Sequence, residues 1–376
     1  VLYLHRVGAR LDEVLEAQII LEEVATRRAL ERLDDNDAAR LQAFAESPFE
    51  DLGPDPKALH RFIASLTRNP ALELFVEVVG RVVMLYSPDW RQITAQAEKT
   101  KRAHAGIAAA ALAGNTELAQ RRMRWHLGAE ADLLRATGST RQLLPERVML
   151  TSNTGKGAEA VARNITQMII DAGMEAGELV GAETQLIESE GVSRAILREA
   201  VRLLEHHEIA RMRRGPGGGL FVVQPSTRAV TDVVALYLAR RGMQLSGLAE
   251  FRTDVEVAIV SLAVAHIDEE GIRRLQQVSI REEGCSSVER VEDAHDLHAA
   301  VAVSAQSRVL ELVALVLLRL SSRHGIECLA DRAHDRVREE VLRAHRGIVD
   351  ALTRGDRDVA CERMRRHLGA ITVRTR

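Results

Sequence analysis

Residues 122–129, Arg122-Met123-Arg124-Trp125-His126-Leu127-Gly128-Ala129, return as Arg363-Met364-Arg365-Arg366-His367-Leu368-Gly369-Ala370, 241 positions later. Upstream of each, Ala103-His104-Ala105-Gly106-Ile107 returns as Ala344-His345-Arg346-Gly347-Ile348 at the same offset. Working outward, Leu59-His60-Arg61-Phe62 corresponds to Leu297-His298-Ala299-Ala300 at offset 238. Leu2-Tyr3-Leu4 corresponds to Leu236-Tyr237-Leu238, and Glu16-Ala17-Gln18 to Glu250-Phe251-Arg252, both at offset 234. A drift of a few residues is what small loop insertions leave, so one domain has been duplicated. Copy one is assigned to residues 1–135 and copy two to residues 226–376.

Both copies read as helical. Val14, Ile19 to Leu21, Val24 and Leu30 in one, and Val255, Val257, Ile259, Val260 and Leu262 in the other, occupy helical windows without sustained strand alternation. Gly114-Asn115 and Gly355-Asp356 each divide two such windows, as a glycine helix end followed by a polar helix start does. Residues 136–155, with Thr137-Gly138-Ser139-Thr140 and Thr151-Ser152-Asn153-Thr154-Gly155, read as a linker.

Residues 156–225 have a different pattern. Val161, Ile165, Met168 and Ile169 recur at helical spacing up to Gly173. A short second helix, Ala182 to Glu188, leads through Gly191 and Val192 to Ser193, which suits an N-cap, and then to the amphipathic run Arg194 to Leu204. Helix, glycine turn and helix in this order form a helix-turn-helix, whose second helix enters a major groove. Arg194 and Arg198, four apart, share one face near its start, where guanidinium groups reach guanine edges or phosphate. Ile209 to Arg213 and Leu220 to Val223 flank Arg214-Gly215-Pro216-Gly217-Gly218-Gly219 as a hairpin, a wing with a basic tip at Arg214 and Gly215. From Ser193 to Gly215 there are six arginines and three glutamates, against eight basic and ten acidic residues over 156–225. Basicity is thus confined to one face. A solvated helix beside an ordinary glycine hairpin would account for the arginines alone; the ordered combination favours DNA reading. The glycine run precedes a strand and lacks a Gly-Lys-Ser/Thr sequence, which argues against a phosphate cradle.

The run Gly191-Val192-Ser193-Arg194-x-x-Leu197-Arg198-Glu199-Ala200-x-Arg202-x-Leu204-Glu205, followed by the Arg214-Gly215 wing, resembles the DNA-binding domain of the GntR superfamily. The flanking copies are similar to the helical effector domain of its FadR subfamily. The resemblance implies a ligand-responsive transcription regulator in which Arg194 and Arg198 match DNA-contacting arginines, Ser193 an adjacent polar contact and Gly215 the wing tip. It also implies pairing of two subunits to read two half-sites of a double-stranded operator. Thr184 departs from the family, which often has arginine at that position. Because only copy two follows a DNA-reading unit and copy one begins at Val1, a further winged domain is expected upstream, and a tandem chain could act as its own pseudo-dimer.

In each copy the two later histidines, His104 with His126 and His345 with His367, lie 22 residues apart across a hairpin. Both arms run about 15 to 18 Å from the turn at a rise of about 1.5 Å per residue, so the imidazoles return to similar heights. With His60 or His298 they make two triads suited to a divalent ion of the Zn, Ni or Mn type, with positions open for water or a carboxylate. Packed histidines preserved by common descent are the competing explanation. The resemblance implies an Asp-x-x-x-His ligand pair and a pocket for small organic acids. Here Asp55 and Asp293 stand five residues before His60 and His298, which on an unbroken helix turns the carboxylate about 140° off the histidine face; a local bulge or shifted helix start would bring Asp293 back, and otherwise the site is three histidines plus solvent. Arg252 matches an arginine able to face an anionic effector, with a surface ion pair as the alternative; Gln18 replaces it in copy one.

The 376 residues carry 51 Lys+Arg against 54 Asp+Glu, a net charge of −3, which excludes a uniformly basic nucleic-acid coat while allowing a local one. No stretch approaches the roughly 20 apolar residues of a membrane helix. Cys285, Cys328 and Cys361 form no Cys-x-x-Cys pair, so neither a disulfide framework nor a thiolate metal knot is expected, and a cytoplasmic location suits the thiols. The expected fold is mainly α, with two all-helical bundles flanking a winged helix-turn-helix. The expected function is DNA-binding regulation by an organic acid, through a metal, without enzymatic activity. A ligand- or metal-binding scaffold with decayed DNA reading, and a metal-dependent hydrolase, are the alternatives; no general base, nucleophile elbow or nucleotide loop accompanies the histidines.

Overall fold

The computed structural model describes residues 3–4, 7–46, 57–86, 94–136, 157–224, 226–284, 290–323 and 334–374. The chain forms two compact units, residues 1–10 with 140–233 and residues 11–139 with 234–376. Of the linker read at 136–155, only Ala136 is described, as the last residue of a helix.

In copy one, α1 (Leu11–Leu30), α2 (Asp35–Glu46), α3 (Ala58–Leu66), α4 (Pro70–Tyr86), α5 (Thr94–Leu112) and α6 (Thr116–Ala136) follow in order. Asp12 and Glu13 in the first turn of α1, with Arg27 and Arg28 in its last, complement the helix dipole. Its apolar side, Val14, Leu21 and Ala25, is closed over by Leu59, Ile63, Leu72, Ile107, Met123 and Leu127, all 3% exposed or less. Burial at this level contributes about 1.5 to 3 kcal/mol for each large aliphatic side chain. The α5–α6 hairpin turns at Gly114, φ 67°, a conformation open to glycine without a Cβ penalty. Asn115 then accepts from the Leu118 N–H at 2.9 Å and starts α6.

The winged unit contains α7 (Ala158–Asp171), β1 (Leu179–Gly181), α8 (Glu183–Glu190), α9 (Arg194–His206), β2 (Ala210–Arg213) and β3 (Gly219–Val222). Its sheet is antiparallel in the order β1-β3-β2. The hairpin lies where alternation placed it, whereas β1 is an addition to the sequence reading. It runs so close to β3 that a Cβ on Gly219 would stand 2.6 Å from Leu179 Cδ1 and 2.7 Å from the Gly181 carbonyl oxygen. Ile165, Leu186, Leu197, Ala200, Leu204 and Leu220 form the core. That burial fixes which face of α9 is left outward.

Copy two opens on α10 (Thr227–Arg240) and continues with α11 (Leu245–His266), α12 (Glu269–Gly284), α13 (Arg290–Ser304), α14 (Arg308–Arg323), α15 (His334–Thr353) and α16 (Arg357–Arg374). The second hairpin repeats the first: Gly355 has φ 72°, and Asp356 accepts from the Val359 N–H at 3.1 Å. The two copies pack on each other within one unit, α1 against α11, with α14 on α1 and α4 on α11. Asp254 accepts from Arg27 at 2.6 Å and from Arg28 at 2.6 and 2.9 Å. Glu250 accepts from Arg32 at 2.8 and 2.6 Å, and Glu13 from Arg308 at 2.6 Å. Asn69 donates to the Gly247 carbonyl at 2.9 Å.

Candidate metal centres and nucleic-acid interface

Helices α3, α5 and α6 bring His60, His104 and His126 together in copy one; α13, α15 and α16 bring His298, His345 and His367 together in copy two. All six are 5% exposed or less. In copy one the three Nε2 atoms form a near-equilateral triangle of 3.2, 3.1 and 3.3 Å. In copy two His345 and His367 lie 3.1 Å apart, and His367 and His298 3.3 Å. A tetrahedral ion with metal–nitrogen bonds of about 2.0 to 2.1 Å holds its ligand atoms about 3.3 Å apart.

Proton placement explains why the nitrogens face one another. Glu22, on α1, contacts His60 Nδ1, and Glu256, at the corresponding place on α11, contacts His298 Nδ1. Glu282 on α12 is 2.9 Å from His345 Nδ1. An ionised carboxylate only accepts, so each of these Nδ1 atoms carries a proton, and in the neutral imidazole Nε2 is then the lone-pair nitrogen that faces the triad. Lone pairs converging in a buried site call for a cation between them. Burial, the largest influence, pushes His104 down to about 2 and His126 to about 4, and lowers His298 and His367, so all four are neutral, the form that binds metal. Burial also opposes ionisation of Glu22 and Glu256, but His60 beside the first, and His298 and Arg252 beside the second, outweigh it and hold both carboxyls low.

Sequence reasoning missed these glutamates. It sought the carboxylate just before His60 and His298; Asp55 lies outside the described residues, and the same holds for the side chain of Asp293. The available signal was Gln18-x-x-x-Glu22 recurring as Arg252-x-x-x-Glu256 at the established offset of 234. Arg252, for which a surface ion pair was the alternative, is 2% exposed and donates to Glu256 at 2.5 Å. Gln18 donates to Glu22 at 2.8 Å. A second missed residue is Glu130, one turn beyond His126. Burial opposes its ionisation, but Lys57 at 2.7 Å, with His126 and His60, holds it down to about 2.

In the winged unit Ser193 is extended at φ −74° and ψ 157°, and its hydroxyl caps α9 by accepting from the Ile196 N–H at 3.3 Å. Arg194 and Arg198 leave the first turns of α9 with side chains 67% and 72% exposed, and Glu183 lies 3.9 and 4.0 Å from them. Thr184 is exposed on α8, and Arg214 and Gly215 are exposed at the hairpin tip, where Gly215 has φ 96°. A Cβ on Gly218 would meet the Arg213 carbonyl oxygen at 2.5 Å, so this tip needs glycine. Arg213 lies over the Phe221 ring at 4.3 Å, and both Arg213 and Arg214 are exposed.

An outward arginine pair on a winged helix-turn-helix, joined in one chain to duplicated helical domains with buried polar centres, defines a ligand-responsive DNA-binding regulator. The model of the FCD domain matches residues 13–129 and 247–370, more than half of the chain, and that of the bacterial regulatory proteins of the gntR family matches residues 157–222. The chain belongs to this family, as a GntR-type transcription regulator with two FCD effector-binding domains. It is 26% identical over 218 residues to the uncharacterized HTH-type transcriptional regulator YcbG of Bacillus subtilis (strain 168), covering 58% of this chain and 89% of that one. It is 29% identical over 153 residues to the putative HTH-type transcriptional regulator RmpR of Mycobacterium gastri, covering 40% and 55%. Among solved structures it is similar to Streptococcus agalactiae GntR, at 19% identity and a TM-score of 0.40 over 57% of this chain and 99% of that chain.

Proposed function

We propose that this regulator works in the cytoplasm, reads a double-stranded operator through the start of α9, and is controlled by a small organic acid bound at metal centres in its helical domains. The reading is carried by the exposure of Arg194 and Arg198 on a helix whose other face is buried in the domain core. Arg194 and Arg198 grip guanine N7 and O6 or flanking phosphate, Ser193 and Thr184 add polar contacts, and Arg214 and Gly215 follow the backbone from the wing. The residues assigned to the working division are 156–225 for DNA and 1–135 with 226–376 for ligand.

His60, His104 and His126, and His298, His345 and His367, are the residues that would hold a divalent ion, of the Zn, Ni or Mn type that three imidazoles suit. When bound, the ion supplies a Lewis-acidic point for a carboxylate oxygen of the effector. Glu22, Glu256 and Glu282 fix the tautomers that leave Nε2 free for coordination, and Arg252 contributes positive charge beside His298. Copy packing through α1 and α11 gives one chain the paired core that two subunits would otherwise supply, so an effector can bias that pairing if its affinity differs between arrangements.

Selection from a randomised duplex pool at stated salt, beside the Arg194→Ala/Arg198→Ala variant, tests the reading. Enrichment of a defined sequence that is lost in the variant supports it, because phosphate attraction alone gives affinity without enrichment. Ligand or metal binding without enrichment supports the scaffold reading instead, and metal-dependent hydrolysis of small acids or esters supports the hydrolase.

A further inference from the structure

The two triads use corresponding positions, yet the groups on their Nε2 side differ. In copy one Glu130 brings Oε1 to 3.6 Å from His126 Nε2, while its Oε2 accepts from Lys57 at 2.7 Å. The glutamate already paired with His60, Glu22, sits at Nδ1, on the far side of that ring from the triad centre. At the offset of 241 that relates these helices, Glu130 corresponds to Ile371. The copy-two carboxylates Glu256 and Glu282 both face Nδ1 atoms. Among the described residues, then, copy one brings a carboxylate to the coordinating side of its triad and copy two puts an aliphatic side chain at the equivalent place. Each copy also has a cation nearby, in a different place: Lys57 pairs with Glu130 in copy one, whereas in copy two Arg252, at the position of neutral Gln18, pairs with Glu256 behind His298.

We propose that the centres have divided their roles. Copy one holds its divalent ion as a closed four-ligand centre completed by Glu130, and copy two keeps an open coordination position that takes the carboxylate of a small organic acid. The inference rests on the metal reading above. Its physical basis is the difference between structural sites, in which protein fills all four positions, and sites that leave one position for an exchangeable ligand. An incoming carboxylate at copy one meets the Glu130 carboxylate in the space it needs, and the like charges repel. At copy two the equivalent position is Ile371, which carries no charge. Glu130 lies outside the 4.8 Å cluster of the three nitrogens, so completing the shell takes a rotation of its carboxyl toward the ion, with Lys57 still holding the other oxygen. Lys57 therefore acts as a positioning residue for Glu130.

Cobalt(II) is the probe, because its visible bands report the number and kind of its ligands, and succinate is the test acid. In the full chain, His345→Ala/His367→Ala leaves only the first centre and His104→Ala/His126→Ala only the second. The expected result is cobalt bound by both variants, with bands that move on adding succinate when only the second centre remains and stay fixed when only the first remains. Glu130→Gln in the first-centre protein is expected to weaken cobalt binding about 10- to 100-fold and make its bands respond to succinate. Ile371→Glu, placed in the second-centre protein with its own triad intact, should abolish the response there, and circular dichroism melts verify folding of each variant. An equal succinate response from both centres, or cobalt affinity unchanged by Glu130→Gln, overturns the division of roles and leaves the metal reading standing. No cobalt at either triad overturns both.

Discussion

Copy one and copy two share a core and differ at their functional edges. Ile107, Met123 and Leu127 correspond to Ile348, Met364 and Leu368, all 3% exposed or less, and the histidine triads are duplicated intact. Across the contact between copies the symmetry fails in charge. Offset 234 maps Arg32 with Glu250 onto His266 with Glu16, and Arg28 with Asp254 onto Leu262 with Ile20. The cations of α1 therefore meet the anions of α11, while the mirror positions hold one weak pair and one apolar pair. In a two-chain dimer every substitution would appear on both sides. Within one chain each side varies alone, so packing residues stay matched while interface and ligand-side residues diverge toward pairing copy one with copy two.

The largest expected effect separates the glutamates behind the triads. Glu256→Gln removes the charge that Arg252 and His298 share in a site where all three are 4% exposed or less, and is expected to cost about 3 kcal/mol or more in chelator-treated protein. Glu22→Gln, beside neutral Gln18, loses charge-assisted hydrogen bonding without exposing a buried guanidinium, at about 1 to 2 kcal/mol. Urea unfolding midpoints of the two variants check the comparison; equal losses would mean that the Gln18/Arg252 difference has no energetic consequence.

Next comes the interface. Asp254 is 8% exposed and takes hydrogen bonds from both Arg27 and Arg28, so Asp254→Arg should cost about 2 to 3 kcal/mol, between an exposed pair and a fully buried one. Adding Arg28→Asp to that variant should recover part of the loss, a double-mutant coupling that thermal melts can measure. Additive losses would remove the case for charge-directed pairing of the copies.

Acid titration of the chelator-treated protein addresses what the copies share. His104 is held at about 2 and His126 at about 4, against an ordinary 6.5, and His298 and His367 are also lowered, so the unfolded chain takes up protons that the folded triads refuse. For a depressed folded value, stability is complete above the unfolded value and falls as the pH drops. Each such imidazole adds a slope of up to about 1.4 kcal/mol per pH unit below 6.5. Glu130, held near 2 against 4.5, adds to the loss below pH 4.5 in copy one. His104→Ala/His126→Ala should flatten the acid limb of the folding curve, and an unchanged limb would contradict a neutral His104 and His126.

Duplication and helical class were legible because repeated apolar and histidine positions survive loop insertion, and the hairpin rule put His104 opposite His126 and His345 opposite His367 from spacing alone. Glu22 and Glu256 escaped because they act on the histidines from another helix, and a partner in space leaves no spacing in sequence. Glu130 carried the opposite problem: at i+4 from His126 it was in plain reach, but one copy lacks it, and attention to what both copies share passes over what one has gained. Strand β1, three residues long, has too few positions to show alternation.

The smallest expected effect tests the mirror pair directly. Glu250 takes hydrogen bonds of 2.8 and 2.6 Å from Arg32 and lies 3.0 Å from Arg28, with side chains 18 to 29% exposed. Glu250→Gln is therefore expected to cost about 1 kcal/mol, the upper end for a partly solvated pair. Burial raises the pKa of Glu16 more than His266 lowers it. Its charge is then a slight liability at neutral pH, and Glu16→Gln should lie between neutral and a gain of about 0.5 kcal/mol. Because both residues occupy the same place in their helices, helix propensity and local packing largely cancel in the difference between the two variants. What remains is the partner across the contact, arginine on one side and histidine on the other. Equal losses from the two substitutions would show that the contact is electrostatically symmetric despite its sequence, whereas opposite signs would tie the orientation of copy one on copy two to the arginines of α1.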